Sequence, residues 1–218
     1  MRIKLLAIFI LTVFTVTMSV AASAQDAKVI RLPEPKIDKN VSFADVLKNR
    51  KTSREYSPGS LTGQTLSNLL WASWGINRPE SGRRTAPSAL NKQEIDVYVT
   101  TAEGSYVYDA KTHSLAQVSS GDIRTLTGKQ SYFKDAAINL VFVADLSKMD
   151  GGDESQKLLL ASMDTGFIAQ NTYLYCAAEG LATVYRVSID KPALAEALKL
   201  KPDQRIIGAQ TVGLPKQK

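Results

Sequence analysis

The chain predicts an α+β fold on a central, mainly antiparallel sheet, and three observations carry that expectation. Helical patterns at 43–49 and 64–77 precede a cluster of short alternating strands at 95–118, so helices and strands come in runs rather than in strict alternation. A near-continuous apolar run at 137–144, AINLVFVA, has the length and composition of a strand buried on both faces. Third, one long helix is written over 153–180, followed by strands at 181–187 and 205–212.

Taken in order, the first 24 residues read as a secretory signal. Arg2 and Lys4 precede an apolar run at 5–20, and Ala22, Ser23 and Ala24 supply a small-residue cleavage site. Cleavage after Ala24 exports the protein to the periplasm or beyond and leaves no stable membrane anchor. The alternative is an uncleaved anchor, because the apolar run is nearly long enough to span. Removing 24 of 218 residues leaves 194, enough for one domain with a sizeable core, and losing Arg2 and Lys4 lowers the net charge from +6 to +4. No block of five Lys or Arg occurs, so charge does not argue for nucleic acid.

Residues 25–40, rich in Lys and Pro without periodicity, read as an exposed lead-in to a domain at 41–218. Ser42 caps the helix at 43–49, which sets Phe43, Val46 and Leu47 on one face. The helix at 64–77 carries Leu66, Leu69, Leu70 and Trp74, and Pro79, Gly82 and Pro87 break the loop after it. Ile95, Val97 and Val99 alternate as a strand, and Glu103 and Gly104 turn the chain into a second strand at 106–108. A third strand at 115–118 and a short helix at 122–127 lead to the apolar run.

The long helix has a start and a stop. Asp153 with Gln156 forms a capping-box pattern, and Gly180 sits where a left-handed residue ends a helix. Met163, Phe167, Gln170, Leu174 and Ala177 form one stripe, and Ile168, Asn171, Tyr175 and Ala178 form another. Apolar character this broad predicts burial on several sides, by wrapping within the chain or by a second copy in a dimer. The polar Asp164, Gln170 and Asn171 then read as interior groups bonded to neighbouring backbone. Asp190 caps a last helix through Leu198, with Pro192 in its first turn.

Cys176 is the only cysteine and His113 the only histidine, so an intramolecular disulfide, a Cys/His metal site and Ser/His or Cys/His catalysis have no support. Three polar stretches remain. At 50–56, RKTSREY places Arg50, Lys51, Thr52 and Arg54 past a helix end, where they can converge on one phosphate or form a solvated basic loop. At 83–93, RRTAPSALNKQ gives small residues in a rigid turn at Pro87, Ser88 and Ala89, and Asn91 can donate and accept at a ring edge; by itself it also reads as an ordinary loop. At 180–188, GLATVYRVS reads as a strand whose backbone can face a site or merely pair in a sheet. Neither a Walker nor a Rossmann glycine pattern is present.

In this order the three stretches resemble the nitroreductase superfamily of FMN-dependent oxidoreductases, most closely its SagB-type dehydrogenase-like branch. RKTSREY is similar to that family's Arg-Arg-Ser-x-Arg-x-Phe phosphate motif, LLWASWGINRP with APSALNKQ to its middle flavin-contact segment, and DTGFIAQNTYLYCAAEGLATV to its long-helix signature. The resemblance implies a nitroreductase-like fold with helices around the sheet, forming a domain-swapped-type homodimer. It implies that Arg50, Lys51, Thr52 and Arg54 hold the FMN phosphate and ribityl chain, with Lys216 near the phosphate. Pro87, Ser88, Ala89 and Asn91 contact the flavin from the partner subunit, and the backbone of Val187 and Ser188 lies by flavin N5. Family members often carry Gly where this chain has Val187, and the basic tail of the family is reduced here to Lys216 and Lys218.

The implied activity passes hydride or electrons through N5 to a small electron-poor acceptor such as a nitroaromatic or a quinone. Its chemistry belongs to the flavin, so no catalytic side chain is needed. The family's donor is NAD(P)H, whereas an exported chain implies another donor. The alternatives are an exported protein that binds flavin without turnover, and a structural homodimer with an empty site.

Overall fold

A computed structural model of the chain describes residues 28–37, 40–130 and 132–217. The signal read at 1–24 lies outside them. Among the described residues no helix is long and apolar enough to cross a membrane.

The elements run in chain order as β1 (Val29–Arg31), α1 (Phe43–Asn49), β2 (Tyr56–Ser57), α2 (Gly63–Trp74), β3 (Ile76–Arg78), β4 (Arg83–Arg84), β5 (Ile95–Thr100), β6 (Gly104–Asp109), β7 (Ser114–Ser120), β8 (Ile138–Asp145), α3 (Glu154–Glu179), β9 (Ala182–Arg186), α4 (Lys191–Ala197) and β10 (Gln204–Pro215). Short 3-10 turns stand at Ala89–Asn91, Arg124–Thr127, Tyr132–Lys134 and Leu146–Lys148. Eight strands make the main sheet in the order β1-β7-β6-β5-β8-β10-β2, and β9 pairs with the β2 side of β10. Every pairing among the described strands is antiparallel.

The apolar run forms β8, between β5 and β10 at the centre of the sheet. Period-two alternation sends Leu140 and Phe142 to a core shared with α2 and α3, and Val141 and Val143 to a second core under α4. Both faces are covered, which is why β8 lacks the polar alternation of a half-exposed strand.

The caps stand as the sequence predicts. The Ser42 hydroxyl accepts from Asp45 N, Asp153 and Gln156 close a reciprocal box, Asp190 accepts from Ala193 N, and Gly180 is left-handed at φ 72°. Helix α2 is shorter than the 64–77 expected from periodicity. It is capped by Thr62 and ends at Trp74, because Gly75 turns extended and the Trp71 indole donates to Ile76 O.

The lead-in read at 25–40 carries more structure than composition suggests. Val29–Arg31 pairs with β7 at the sheet edge. Ser67 and Asn68 of α2 then tie down the next segment, with Ser67 Oγ donating to Pro33 O at 2.5 Å and Lys36 N donating to Asn68 Oδ1 at 2.8 Å.

Of the two ways expected to bury the long helix on several sides, wrapping within the chain is not what the single chain shows. Its buried stripe is Ala161, Asp164, Thr165, Ile168, Ala169, Thr172, Tyr175 and Cys176, set against α2 and the sheet. Met163 and Phe167, read as interior, are 55% and 46% exposed in the single chain, and Gln170 is exposed as well. Leu159, Met163 and Phe167 therefore form an apolar row at i, i+4 and i+8 that stays exposed among the described residues. Cys176 is fully buried, and burial pushes its thiol pKa up, as expected of a packing residue.

Candidate functional site

Two polar clusters are built on α3. The first stands near its C-terminal end. Arg50 is the C-cap of α1, and its guanidinium lies 5.5 Å from the centre of the Tyr173 ring. The Tyr173 hydroxyl accepts from Tyr185 N of β9 at 2.9 Å and stands 3.1 Å from Thr52 Oγ1, so its own proton is free to be donated to Thr52. Ser53 N donates to Thr183 O at 2.9 Å. These bonds dock the 50–56 loop on the outer edge of β9, whose other edge pairs with β10. Lys51 and Arg54 remain exposed, and Lys216 Nζ approaches Glu55 Oε1 at 3.7 Å. A hollow of about 520 Å³ opens here, lined by Lys51, Ser53, Glu55, Tyr173, Thr183 and Lys216 among others.

The tyrosine is the hinge pin of this cluster. Tyr173→Phe leaves Tyr185 N–H without its acceptor and unties Thr52, which should cost about 1–2 kcal/mol of stability by urea denaturation. An unchanged denaturation midpoint would mean that the loop is held by other contacts.

The second cluster is the 85–93 loop. Ala89 N donates to Asp164 Oδ2 at 2.7 Å, and Gln93 N donates to Ser88 Oγ at 3.0 Å. Between these anchors Leu90, Asn91 and Gln93 all have positive φ, at 51°, 55° and 49°. Non-glycine residues held there store about 1–3 kcal/mol each, so the anchors must outweigh that strain. Pro87 and Asn91 are exposed, Ser88 and Ala89 half-buried, and Leu90 is 87% exposed. Arg84 braces the loop from beneath, donating to Gln93 Oε1 and Trp74 O with its guanidinium 4.5 Å from the Trp74 ring.

The remaining predicted residues, Val187 and Ser188, leave the end of β9 exposed, Val187 at 61%. Ser188 O accepts from Lys129 N at 3.2 Å. Arg186, just before them, points the other way and is only 6% exposed. Its guanidinium donates to Thr127 O, Thr127 Oγ1, Asn139 Oδ1 and Thr211 Oγ1, and it lies over the Phe133 ring. All of these partners are neutral. Burial lowers the Arg186 pKa to about 10, still far above neutrality, so a full positive charge sits beneath the end of β9.

The structure thus brings Lys51 and Lys216 to one hollow, with Arg50 and Thr52 on either side of Lys51 in the chain and Arg54 exposed in the same loop. It sets Pro87, Ser88, Ala89 and Asn91 apart from them. Their anchors on α3, Asp164 and Tyr173, are nine residues distant, about 14 Å along the axis. A second, larger hollow of about 720 Å³ has other walls, including Ile30, Leu61, Leu66, Tyr106 and Ile138, and none of the predicted site residues lines it.

Sequence reasoning missed Tyr173 and Arg186. An arginine inside the apolar strand ATVYRV was a usable signal for a special role. Tyr173 left none, since its partners are distant in the chain. Asp164 was read as an interior group bonded to backbone, and its bond to Ala89 N is that.

Fold and site together define a mixed α+β protein with a central antiparallel sheet, a long helix and two polar clusters along that helix. The model of the family described as nitroreductase matches residues 47–214. A nitroreductase homologue of Methanocaldococcus jannaschii is 28% identical over 186 residues, covering 81% of this chain and 92% of its own. The crystal structure of a nitroreductase homologue from Ralstonia eutropha superposes with a TM-score of 0.83 at 36% identity, covering 89% of this chain and 92% of that one. That of a homologue from Desulfovibrio desulfuricans, solved in complex with FMN, superposes with a TM-score of 0.58 at 21% identity over 82% and 89%. The chain belongs to the nitroreductase family.

Proposed function

We propose that the protein is an exported FMN-dependent oxidoreductase of the SagB-type branch, acting as a homodimer on small electron-poor acceptors such as nitroaromatics or quinones. The observation that carries this reading is the docking of the 50–56 loop on the outer edge of β9 through Tyr173. It gathers Arg50, Lys51 and Thr52 beside a hollow whose volume lies within the usual range for a small-molecule site. The donor set fits a phosphate, because guanidinium, ammonium and hydroxyl groups all donate in charge-assisted bonds.

In this reading Arg50, Lys51, Thr52 and Arg54 hold the phosphate and ribityl chain, and Lys216 joins them by turning from Glu55. Thr183 O and Tyr185 N both face the outer edge of β9, and in this reading the backbone of Val187, one residue past the end of the strand, lies near flavin N5. Arg186 adds positive potential from below. Bound FMN supplies the electron transfer itself. Pro87, Ser88, Ala89 and Asn91 come from the partner, which the separation of the two clusters on one helix favours. The uncovered row Leu159, Met163 and Phe167, with Phe43 and Leu47 of α1 also exposed, supplies the surface for that partner. Export implies an electron donor other than NAD(P)H.

The test is anaerobic. Protein loaded with FMN is reduced by dithionite, and a quinone or nitroaromatic is then added. The proposal expects the oxidised flavin absorption to return with acceptor concentration. Flavin that stays reduced would assign the protein to flavin binding without turnover.

A further inference from the structure

Glu94 lies between the 85–93 loop and β5 and has no exposed surface. Among the described residues no donor from another residue reaches either carboxylate oxygen. Its side chain faces Asp164, the residue that holds Ala89 N at 2.7 Å. Asp164 is itself only 3% exposed, so two carboxyl groups meet inside the protein. The other charged group facing Glu94 is Lys148, from the 3-10 turn at Leu146–Lys148, and its ammonium is committed to Asp96 Oδ1 at 2.7 Å. The backbone of Glu94 is fixed by Asp145 N, which donates to its carbonyl at 2.9 Å, so the side chain cannot retreat without disturbing the sheet.

Two ionised carboxylates without donors between them do not coexist in such a place; one proton shared between them turns repulsion into a hydrogen bond. Asp164 already accepts the Ala89 N–H, which sets it as the acceptor of that shared bond. Glu94 is then the member that carries the proton. We propose that Glu94 is a positioning residue for the 85–93 loop: it donates a hydrogen bond to Asp164, holds Asp164 against Ala89 N–H, and releases the strained segment 88–93 when it ionises. Burial first, and Asp164 second, push the Glu94 pKa up to about 7, so release falls near neutral pH. Toward the flavin, the inference rests on the reading that this loop contacts FMN; the clamp itself does not.

The test is amide hydrogen exchange at residues 88–93 of the full chain without FMN, as protection factors corrected for intrinsic exchange, from pH 5.5 to 8.5. Ala89 protection should fall by up to about tenfold per pH unit as the pH rises from 5.5 toward 7, and level off above it. Glu94→Gln, whose amide donates to Asp164 at every pH, should keep protection level across the range. Asp164→Asn removes the like charge and should shift or abolish the pH dependence. A wild-type profile as flat as that of Glu94→Gln overturns the clamp, as does a Glu94→Gln profile that still falls between pH 5.5 and 7. Should Glu94→Gln fail to fold, the wild-type and Asp164→Asn profiles decide in the same way. FMN affinity over the same pH range separates the two layers: exchange that follows pH while affinity does not leaves the clamp standing and removes the loop from the flavin site.

Discussion

Arg50→Ala should weaken the proposed FMN binding roughly ten- to a hundred-fold, the loss expected when a charge-assisted bond of about 1.5–3 kcal/mol is removed. Fold stability should change little, since the side chain's structural contact is its approach to the Tyr173 ring, a half-buried cation–π pair of about 0.5–2 kcal/mol. Arg50→Lys should fall between, because an ammonium keeps the charge but loses the planar fork and the stacking. Equal FMN affinity in wild type and Arg50→Ala, measured by quenching of flavin fluorescence, would mean that the phosphate lies elsewhere.

The double variant Met163→Asp, Phe167→Asp should yield a monomer. In a two-fold interface each substitution appears twice, so four apolar side chains worth about 1.5–3 kcal/mol each are replaced by carboxylates. Weakening of self-association on the order of a thousand-fold or more is the expected result by sedimentation. Both positions are exposed in the single chain, so the monomer should still fold. Flavin affinity should drop in parallel, because the proposed site takes residues 87–91 from the partner. A monomer that binds FMN as tightly as wild type would refute a shared site.

What the sequence disclosed is what short-range patterns encode. The caps of α1, α3 and α4 are local hydrogen bonds between residues three apart, and each stands where its residue types predict. Strand β8 announced its central place by composition alone. Strand β1 was hidden, because three residues cannot show alternation and its stability comes from β7, more than 80 residues away. Gly75 ended α2 early through the indole of Trp71, which periodicity does not register. The stripe at Met163 and Phe167 was rightly read as apolar, but whether a chain or its copy covers such a stripe is not a property of the pattern.

The candidate site divides in the same way. The basic loop, the small-residue turn and the strand end were legible as residue types. Their organisers were not: Tyr173 meets Thr52 across 121 positions, and Asp164 meets Ala89 across 75. Glu94 gave no signal at all, since a glutamate at a loop end is ordinary until its burial is known.

The central claim is that this chain binds FMN in a site completed by a second copy, and the most direct measurement is a titration of FMN into the purified protein, followed by visible absorption with the molecular mass determined in parallel. Saturation at one flavin per chain in a particle of two chains, with shifted flavin bands, is the predicted result. A protein that shows no flavin bands as purified and leaves the spectrum of added FMN unchanged would contradict it.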